Sequence, residues 1–294
     1  MSDPAPNTLF CFGLGYTAGF LARALMVEGW RVVGTAQTEG GCARLAAAGV
    51  EAHRFDGERP LANAATLLGE ATHLLSSVPP EESGDPVLAA HGRDLAALSR
   101  LQWVGYLSTT GVYGDRGGGW VDEASPLAPT GERGRRRVAA EAGWLDLHRR
   151  HGLPVHVFRL AGIYGPGRSA LDTVRAGTAR RVHKPGQVFS RIHVADIVSA
   201  LRASMARPDP GGIYNLCDDD PAPPEAVIAF ACELLGVPPP PLVPLEGAAL
   251  SPMARSFYDD SKRVANRRMK EALGVRLRYP SYRDGLRALL DGSL

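Results

Sequence analysis

Short apolar runs alternate with helix-like stretches through the first half of the chain. Residues 8–12 form the first run, a glycine-rich turn follows, and residues 20–27 repeat apolar side chains at helical spacing before a β-rich run at 30–35. Four more strand-like runs lie at 52–55, 73–78, 103–108 and 155–160. Apolar runs separated by helical patterns are typical of parallel strands joined by helices. The pattern therefore predicts an α/β fold with a doubly wound parallel sheet.

The alternation becomes irregular after Gly165-Pro166-Gly167. Proline-rich stretches at 218–224 and 238–244 indicate loops, and residues 227–235 and 261–273 are typical of helices. We expect this part of the chain to form a smaller C-terminal lobe.

Composition argues against several classes of function. The formal net charge of the 294-residue chain is only +2, so no strong field favours nucleic acid or a membrane surface as partner. The 4 cysteines lack metal-type spacing, the 8 histidines form no His-Glu-x-x-His motif, and no apolar run is long enough to span a bilayer. No signal-peptide pattern opens the sequence. We therefore expect a cytoplasmic protein without a metal site.

The turn after the first run carries a glycine pattern that favours phosphate binding. It reads Phe12-Gly13-Leu14-Gly15-Tyr16-Thr17-Ala18, in which Gly13 suits a tight turn and Gly15 leaves room for a pyrophosphate. Free N–H groups and the positive end of the helix dipole would face the phosphates. The turn predicts a nicotinamide dinucleotide in a Rossmann-type domain, with these contacting residues: Gly13, Leu14, Gly15, Tyr16, Thr17 and Ala18.

The end of the second run indicates which dinucleotide is preferred. An acidic residue here would bond the ribose 2′-hydroxyl and favour NAD, but the first carboxylate comes only at Glu39. We expect NADP, with NAD as the alternative. The residues that could hydrogen-bond a 2′-phosphate are Thr35, Gln37 and Thr38.

Two further residues have open interpretations. Arg44 could reach the same phosphate, or remain a solvated helix residue. Asp56, which follows the third run, is placed either to accept a hydrogen bond from the adenine amino group or to cap its own loop.

Ordered motifs run through the rest of the chain. They read LSTTGVYG (107–114), VDEASPLAP (121–129), RLAGIYGPGR (159–168), RIHVADI (191–197), YNL (214–216) and SKRVAN (261–266). In this order and spacing, over essentially the whole chain, they resemble the NAD-dependent epimerase/dehydratase group of extended short-chain dehydrogenases/reductases. The resemblance implies a seven-stranded Rossmann domain over residues 1–165, with a returning segment at about 188–216. It also implies a small substrate-binding lobe made of residues 166–187 and 217–294.

The resemblance further implies a catalytic set that this chain retains only in part. The group uses a Ser or Thr after strand five and a Tyr-x-x-x-Lys pair on the next helix, where the lysine lowers the tyrosine pKa and holds the nicotinamide ribose. Thr109 aligns with the hydroxyl, Arg137 with the lysine and Arg133 with the tyrosine. Arg137 could still bond ribose hydroxyls, but a guanidinium cannot exchange a proton near neutral pH. The usual proton transfer is therefore absent from its usual place.

Other side chains could take up the missing role. Tyr113 and Tyr164 could each serve as a proton donor beside an arginine, or could simply pack in the core. The resemblance places the end of strand four along the cofactor, so contacts are expected from Ser77, Val78 and Pro79, and also from Ser108.

Three arginines are candidates for an anionic substrate. A guanidinium pairs well with a phosphate or carboxylate, although a structural ion pair is an equally good interpretation. The candidates are Arg133, Arg168 and Arg191. By contrast, His193 and Asp196 resemble a helix-capping motif, which favours a structural role.

Two functional hypotheses follow. The first is an NAD(P)-dependent oxidoreductase or epimerase-like enzyme that acts on a small or nucleotide-linked hydroxyl or carbonyl substrate, as a monomer or homodimer. The second, prompted by the missing phenol, is a non-catalytic NADP(H)-binding sensor or regulatory protein.

Overall fold

The computed structural model describes residues 7–292, which form one large sheet and several two-stranded sheets. The strands are Thr8–Phe12 (β1), Arg31–Ala36 (β2), Glu51–Arg54 (β3), His73–Ser76 (β4), Trp103–Thr109 (β5), Trp120–Val121 (β6), Val155–Leu160 (β7), Gly162–Tyr164 (β8), Arg181–His183 (β9), Arg191–His193 (β10), Ile213–Leu216 (β11), Leu242–Pro244 (β12) and Arg263–Val264 (β13). The α-helices are Tyr16–Val27 (α1), Glu39–Ala47 (α2), Ala64–Gly69 (α3), Pro86–Ala96 (α4), Glu132–His151 (α5), Ala170–Arg175 (α6), Val194–Ala206 (α7), Pro224–Leu235 (α8), Pro252–Ser256 (α9), Arg267–Leu273 (α10) and Tyr282–Asp291 (α11).

The large sheet has seven strands in the order β11-β7-β5-β4-β1-β2-β3. The chain enters at β1, proceeds outward to β3, and then returns to β4 on the other side of β1, which pairs in parallel with both neighbours. All five residues of β1 are buried, as expected for a strand covered by helices on both faces. The predicted Rossmann-type doubly wound parallel sheet of about seven strands is confirmed.

Contacts divide the described residues into two compact units. The first runs to Ser108 and also includes Arg136–Phe158 and Leu201–Ile213, whereas the second comprises Thr109–Arg135, Arg159–Ala200 and the residues from Tyr214 onward. The predicted functional division into a cofactor domain and a substrate lobe stays a prediction. The first and last residues of the two predicted domains, 1–6 and 293–294, lie outside the described part of the chain.

The core of the first unit shows how helices are fixed to the sheet. Trp144 of α5 stacks on Tyr106 of β5 with ring centroids 5.6 Å apart. Its indole N–H donates to Asp85 Oδ2 (2.9 Å), and the other carboxylate oxygen of Asp85 caps α4 by accepting from the backbone of Val87 and Leu88. A large aromatic side chain is thereby buried without an unpaired polar atom.

The second unit builds its core from short elements. Tyr164 and Leu171 cluster with Val227, Tyr282 and Leu286 between α6, α8 and α11. Two of these helices start at capping boxes, in which Ser169 pairs with Asp172 and Ser281 with Asp284.

One predicted helix is wrong in its first half. Residues 261–273 were expected to be helical, but α10 begins only at Arg267, and Arg263–Val264 form a strand paired with β6. The cause is tertiary, because the carbonyl of Ser261 accepts from the backbone N–H groups of Arg116 and Gly118. These contacts hold the 261–264 backbone extended against the local helical pattern.

None of the helices within residues 7–292 is both long and apolar enough to cross a membrane.

Candidate cofactor and substrate sites

The predicted site residues separate cleanly between the two units. All of the proposed cofactor contacts, together with Arg137, lie in the first unit, whereas Thr109, Tyr113, Tyr164, Arg133, Arg168 and Arg191 lie in the second.

The turn after β1 has a backbone that only glycine suits. Gly13 has φ +74°, and a Cβ built on it would lie 3.0 Å from Val78 Cγ2. Its N–H donates to Thr35 Oγ1 (2.9 Å), while the N–H of Leu14 donates to the carbonyl of Thr35 (2.9 Å). The side chain of Leu14 packs over Gly34, where a Cβ would approach Leu14 Cδ1 to 2.5 Å. The ends of β1, β2 and β4 therefore hold the turn together.

Gly15 presents the helix terminus to open space. It is the N-cap of α1, no side chain caps the helix, and the first turn carries no acidic residue. A Cβ built on Gly15 would find no atom nearer than the carbonyl oxygen of Gly13 at 4.0 Å. Tyr16 is half-buried, whereas Thr17 and Ala18 are buried against the sheet. The N–H of Gly15 donates to the carbonyl oxygen of Gly13 (2.8 Å). The start of α1, which has the positive end of the helix dipole and no capping side chain, fits a dinucleotide pyrophosphate.

The three candidate residues at the end of β2 differ in their exposure and in their hydrogen bonds. Thr35 is only 1% exposed, and its hydroxyl already serves the turn. Thr38 is exposed and caps α2 by accepting from Gly41 N (3.1 Å), and Gln37 is exposed. Arg44 bends back toward this helix start, because a Cβ on Gly40 would lie 3.8 Å from its Nη1. Gln37, Thr38 and Arg44 thus surround the position beyond the strand, with Thr35 beneath.

Asp56 makes the contacts of a loop cap. It accepts from the backbone N–H of Glu58 (3.1 Å) and from Arg54 Nη2 (3.1 Å), and the first of these lowers the pKa of its carboxyl. At the end of β4, Ser77 N donates to the carbonyl of Phe12 (2.9 Å). Val78 borders Gly13, and Pro79 is exposed.

Ser108 and Arg137 both tie α5 to the end of β5. The buried hydroxyl of Ser108 donates to Glu141 Oε1 (2.5 Å), a partner that the sequence analysis did not assign. Arg137 Nη1 donates to the carbonyl of Leu107 (2.5 Å) and to the Tyr106 hydroxyl (3.4 Å). The contacts of Ser108 and Arg137 hold α5 against the end of β5 and involve only protein atoms.

Thr109, the last residue of β5, is half-buried in the second unit. Its Oγ1 accepts from Gly111 N (3.1 Å) and thereby caps the 3₁₀ turn Thr110–Tyr113. Within residues 7–292 its hydroxyl proton finds no acceptor, so it is free to donate to a ligand.

Tyr113 is placed as a structural phenol. It is fully buried, its hydroxyl donates to Asn215 Oδ1 (2.7 Å) and accepts from Arg159 Nη1 (2.9 Å). Burial raises the pKa of Tyr113 despite the neighbouring guanidinium. A buried phenol with a raised pKa is a poor proton donor to a substrate near neutral pH.

Tyr164 is enclosed as well. Its hydroxyl donates to the carbonyl of Ser281 (3.3 Å), and a Cβ on Gly285 would collide with it. Its ring meets His193 edge-on, and burial raises its pKa.

The three candidate arginines differ in their surroundings. Arg133 is exposed, with its Cζ 5.6 Å from the ring centroid of Phe257. Arg168 is exposed in the loop after β8. Arg191 donates from Nη1 to the carbonyls of Phe189 (2.9 Å) and Ala222 (3.0 Å), and burial lowers its pKa.

Asp218 is a buried carboxyl that the sequence analysis missed. It is 2% exposed, its Oδ1 accepts from Asp220 N (3.3 Å), and its Oδ2 has no hydrogen-bond partner in the described chain. Burial raises its pKa to about 8. The run of three aspartates at 218–220 gave no signal that the first would be buried.

Known proteins similar to this chain include a close structural relative without an assigned function. A profile of the NAD dependent epimerase/dehydratase family matches residues 88–217. Protein YeeZ of Escherichia coli (strain K12) is 30% identical over 238 residues, which cover 78% of this chain and 84% of that protein. A functionally unknown conserved protein from Silicibacter pomeroyi DSS is 55% identical, with a TM-score of 0.90 over 98% of this chain and 99% of that chain.

A more distant solved structure contains a cofactor. UDP-glucuronic acid 4-epimerase from Bacillus cereus, in complex with NAD, has a TM-score of 0.75 at 17% identity, over 97% of this chain and 96% of that chain. At this identity the similarity establishes a common fold.

Proposed function

Because the chain belongs to the NAD-dependent epimerase/dehydratase family of extended short-chain dehydrogenases/reductases, we propose that it is an NADP-dependent oxidoreductase of a small hydroxyl or carbonyl compound. The family is one of NAD(P)-dependent enzymes, and nothing in the comparisons supports the alternative of a non-catalytic sensor. NADP as the preferred coenzyme, the class of substrate and the residue roles are the parts of this proposal that go beyond family membership.

The observation that carries the proposal is the turn after β1. The positive φ of Gly13, its contact with Val78 and the open space before Gly15 together form a cradle that side chains would fill. When bound there, a nicotinamide coenzyme supplies or accepts hydride. The residues proposed to hold its pyrophosphate are Gly13, Leu14, Gly15, Tyr16, Thr17 and Ala18.

The preference for NADP is supported by the charges around the end of β2. The first carboxylate after β2 in the sequence, Glu39, is exposed and lies 3.8 Å from Arg54 Nη1. Arg44 folds toward Gly40, beside the exposed Gln37 and Thr38. A guanidinium with neutral hydrogen-bonding groups suits a 2′-phosphate better than a 2′-hydroxyl.

In the proposed reaction Thr109 hydrogen-bonds the reacting oxygen, since its hydroxyl proton is free among the described residues. Arg137 is proposed to bond the nicotinamide ribose, as the lysine does in the family. Tyr113 and Tyr164 do not replace the missing phenol, because both are buried with raised pKa values. The proton that accompanies hydride transfer is therefore proposed to come from solvent.

A nucleotide-linked sugar is the second candidate substrate. The epimerase of similar fold is named for UDP-glucuronic acid. Epimerisation through a keto intermediate would remove a hydride from carbon and a proton from the hydroxyl and then return both in one turnover, and the missing phenol disfavours the two proton transfers in this chain.

Titration with NADPH and NADH, followed by coenzyme fluorescence, tests the cofactor assignment. We expect NADPH to bind more tightly, and Arg44→Gln to weaken NADPH by about tenfold while leaving NADH unchanged, since one charge-assisted contact is lost. Arg93→Gln removes an exposed arginine from α4 and is the control. Equal affinities for the two coenzymes, with no effect of Arg44→Gln, would refute the NADP assignment.

Turnover is tested by supplying NADPH with aldehydes, ketones and nucleotide sugars. We expect NADPH oxidation with a small carbonyl compound. If tightly bound NADPH is oxidised by none of them, the oxidoreductase proposal is wrong.

A further inference from the structure

The arginines of α5 differ in how their charges are balanced. Arg135 pairs with Glu132 (2.8 Å), and Arg149 and Arg150 both pair with Asp146 (3.2 and 2.7 Å). Arg133 has no carboxylate within 4.0 Å among residues 7–292. Its guanidinium instead makes a cation–π contact with the ring of Phe257. A guanidinium left without a counter-ion at an exposed position is available to an external anion.

The surface beside this guanidinium is apolar. The Phe257 side chain is 54% exposed and that of Met253, four residues earlier, is 63% exposed. Aromatic residues, methionine and arginine are enriched at binding interfaces. The carboxylate of Asp260 accepts from Lys262 Nζ (3.0 Å) and from the Thr130 hydroxyl.

The residue that follows Arg133 packs on the turn after β5. A Cβ on Gly134 would approach the carbonyl oxygen of Gly111 to 3.0 Å, and Gly111 donates to Thr109. The start of α5 is thus packed on the turn that follows β5. Ligands of open α/β sheets bind at the carboxyl ends of the strands.

We propose that Arg133 and Phe257 recognise the carboxylate and the ring of a small aromatic acid, which narrows the substrate class of the proposed oxidoreductase and rests on that function. One guanidinium carries a single positive charge and can bind a carboxylate through two parallel N–H···O hydrogen bonds, so its charge matches that of one carboxylate. The exposed face of Phe257 provides a stacking surface for a planar body. Arginine at position 133 is then a specificity-determining residue in the place of a proton donor.

Calorimetric titration with trans-cinnamate, cinnamamide and phenyl phosphate tests this inference without requiring turnover. Each probe is added to the full-length protein with and without NADP, and NADPH binding is measured separately. We expect wild-type protein to bind cinnamate at least about tenfold more tightly than the uncharged amide. Arg133→Gln should abolish this preference, Arg133→Lys should keep part of it, and Phe257→Leu should weaken both ring compounds.

Arg135→Gln, which removes an ion-paired arginine two residues away, is the matched control and should keep the preference. Equal binding of cinnamate and cinnamamide, absence of binding by both, or an undiminished preference in Arg133→Gln would each overturn the inference. Tighter binding of phenyl phosphate than of cinnamate would overturn the carboxylate assignment. If wild-type protein does not bind NADPH, the proposed function is wrong. This outcome is separate from the test of Arg133, because the binding of the probes is also measured without coenzyme.

Discussion

The turn before α1 is expected to bind the coenzyme, whereas the first turn of α5 is where the family carries its catalytic phenol, and the chain keeps the expected residues at the first and not at the second. At α1 the glycines remain, with Gly13 at φ +74° and open space before Gly15. At α5 the expected phenol is replaced by Arg133, whose guanidinium lies over Phe257.

The difference follows from what each turn contributes. Pyrophosphate binding depends on backbone N–H groups, so it requires glycines that leave the backbone accessible. Proton transfer depends on one side chain with a suitable pKa, and changing that side chain leaves the fold intact. In the proposed function, the chain keeps the turn that would bind the coenzyme and alters the side chain that would meet the substrate.

Filling the space before Gly15 should produce the largest effect. Gly15→Val adds a branched side chain where a Cβ now meets nothing within 4.0 Å except a carbonyl oxygen, so the fold should tolerate it. We expect NADPH affinity to fall by at least about 100-fold, because the side chain occupies the pyrophosphate position. Coenzyme fluorescence measures the affinity, and thermal unfolding checks the fold.

Gly92→Val is the matched control, since a Cβ on Gly92 in α4 also meets no atom within 4 Å. It should leave NADPH binding unchanged. Unaltered affinity in Gly15→Val would mean that the turn does not hold the coenzyme, and the contrast between the two helix starts would disappear.

The next test asks whether a phenol elsewhere in the second unit replaces the missing one. Tyr113→Phe leaves Asn215 Oδ1 and Arg159 Nη1 without their shared hydroxyl in a buried setting. We expect a loss of about 2 kcal/mol in the free energy of unfolding, with kcat of the folded protein unchanged. Chemical denaturation and steady-state kinetics measure the two quantities.

Tyr258→Phe is the control for Tyr113→Phe, because the Tyr258 hydroxyl makes no hydrogen bond within the described chain. A fall in kcat for Tyr113→Phe without a loss of stability would identify Tyr113 as the proton donor. The second unit would then retain an acid–base residue, although the burial of Tyr113 argues against that role.

Local sequence signals were sufficient for the sheet and the glycine turn. The apolar run at 8–12 is β1 in full, and Gly13 adopts the positive φ of the tight turn that its spacing indicated. Such features depend on residues close in the chain, so periodicity and glycine spacing reveal them.

Features that depend on distant partners could not be predicted. The backbone at 261–264 is extended because it bonds to residues 116–119, far away in sequence. Likewise, Ser108 meets Glu141, and Tyr113 meets Asn215, across more than thirty intervening positions. Neither residue type nor spacing shows that a tyrosine beside an arginine is buried, and burial decides its pKa.

The smallest expected effect on coenzyme binding and catalysis concerns Asp218, the buried carboxyl of the second unit whose pKa burial raises to about 8. In the unfolded chain an aspartate has a pKa of about 3.9, so between about pH 4 and 8 the folded state holds a proton that the unfolded state has lost. Stability therefore falls as pH rises through this range. Asp218→Asn removes that dependence and should gain on the order of 1 kcal/mol or more relative to wild type between pH 5 and 8.

Denaturant unfolding at both pH values measures this gain, and Asp291→Asn, an exposed carboxyl at the end of α11, should show none of it. The activity profile with pH separates stability from catalysis. Because Asp218 Oδ2 is buried, the profile should be the same in wild type and Asp218→Asn. If the variant instead loses both its activity and the pH dependence of that activity, Asp218 supplies the proton. The second unit would then carry its catalytic acid after β11 instead of at the start of α5.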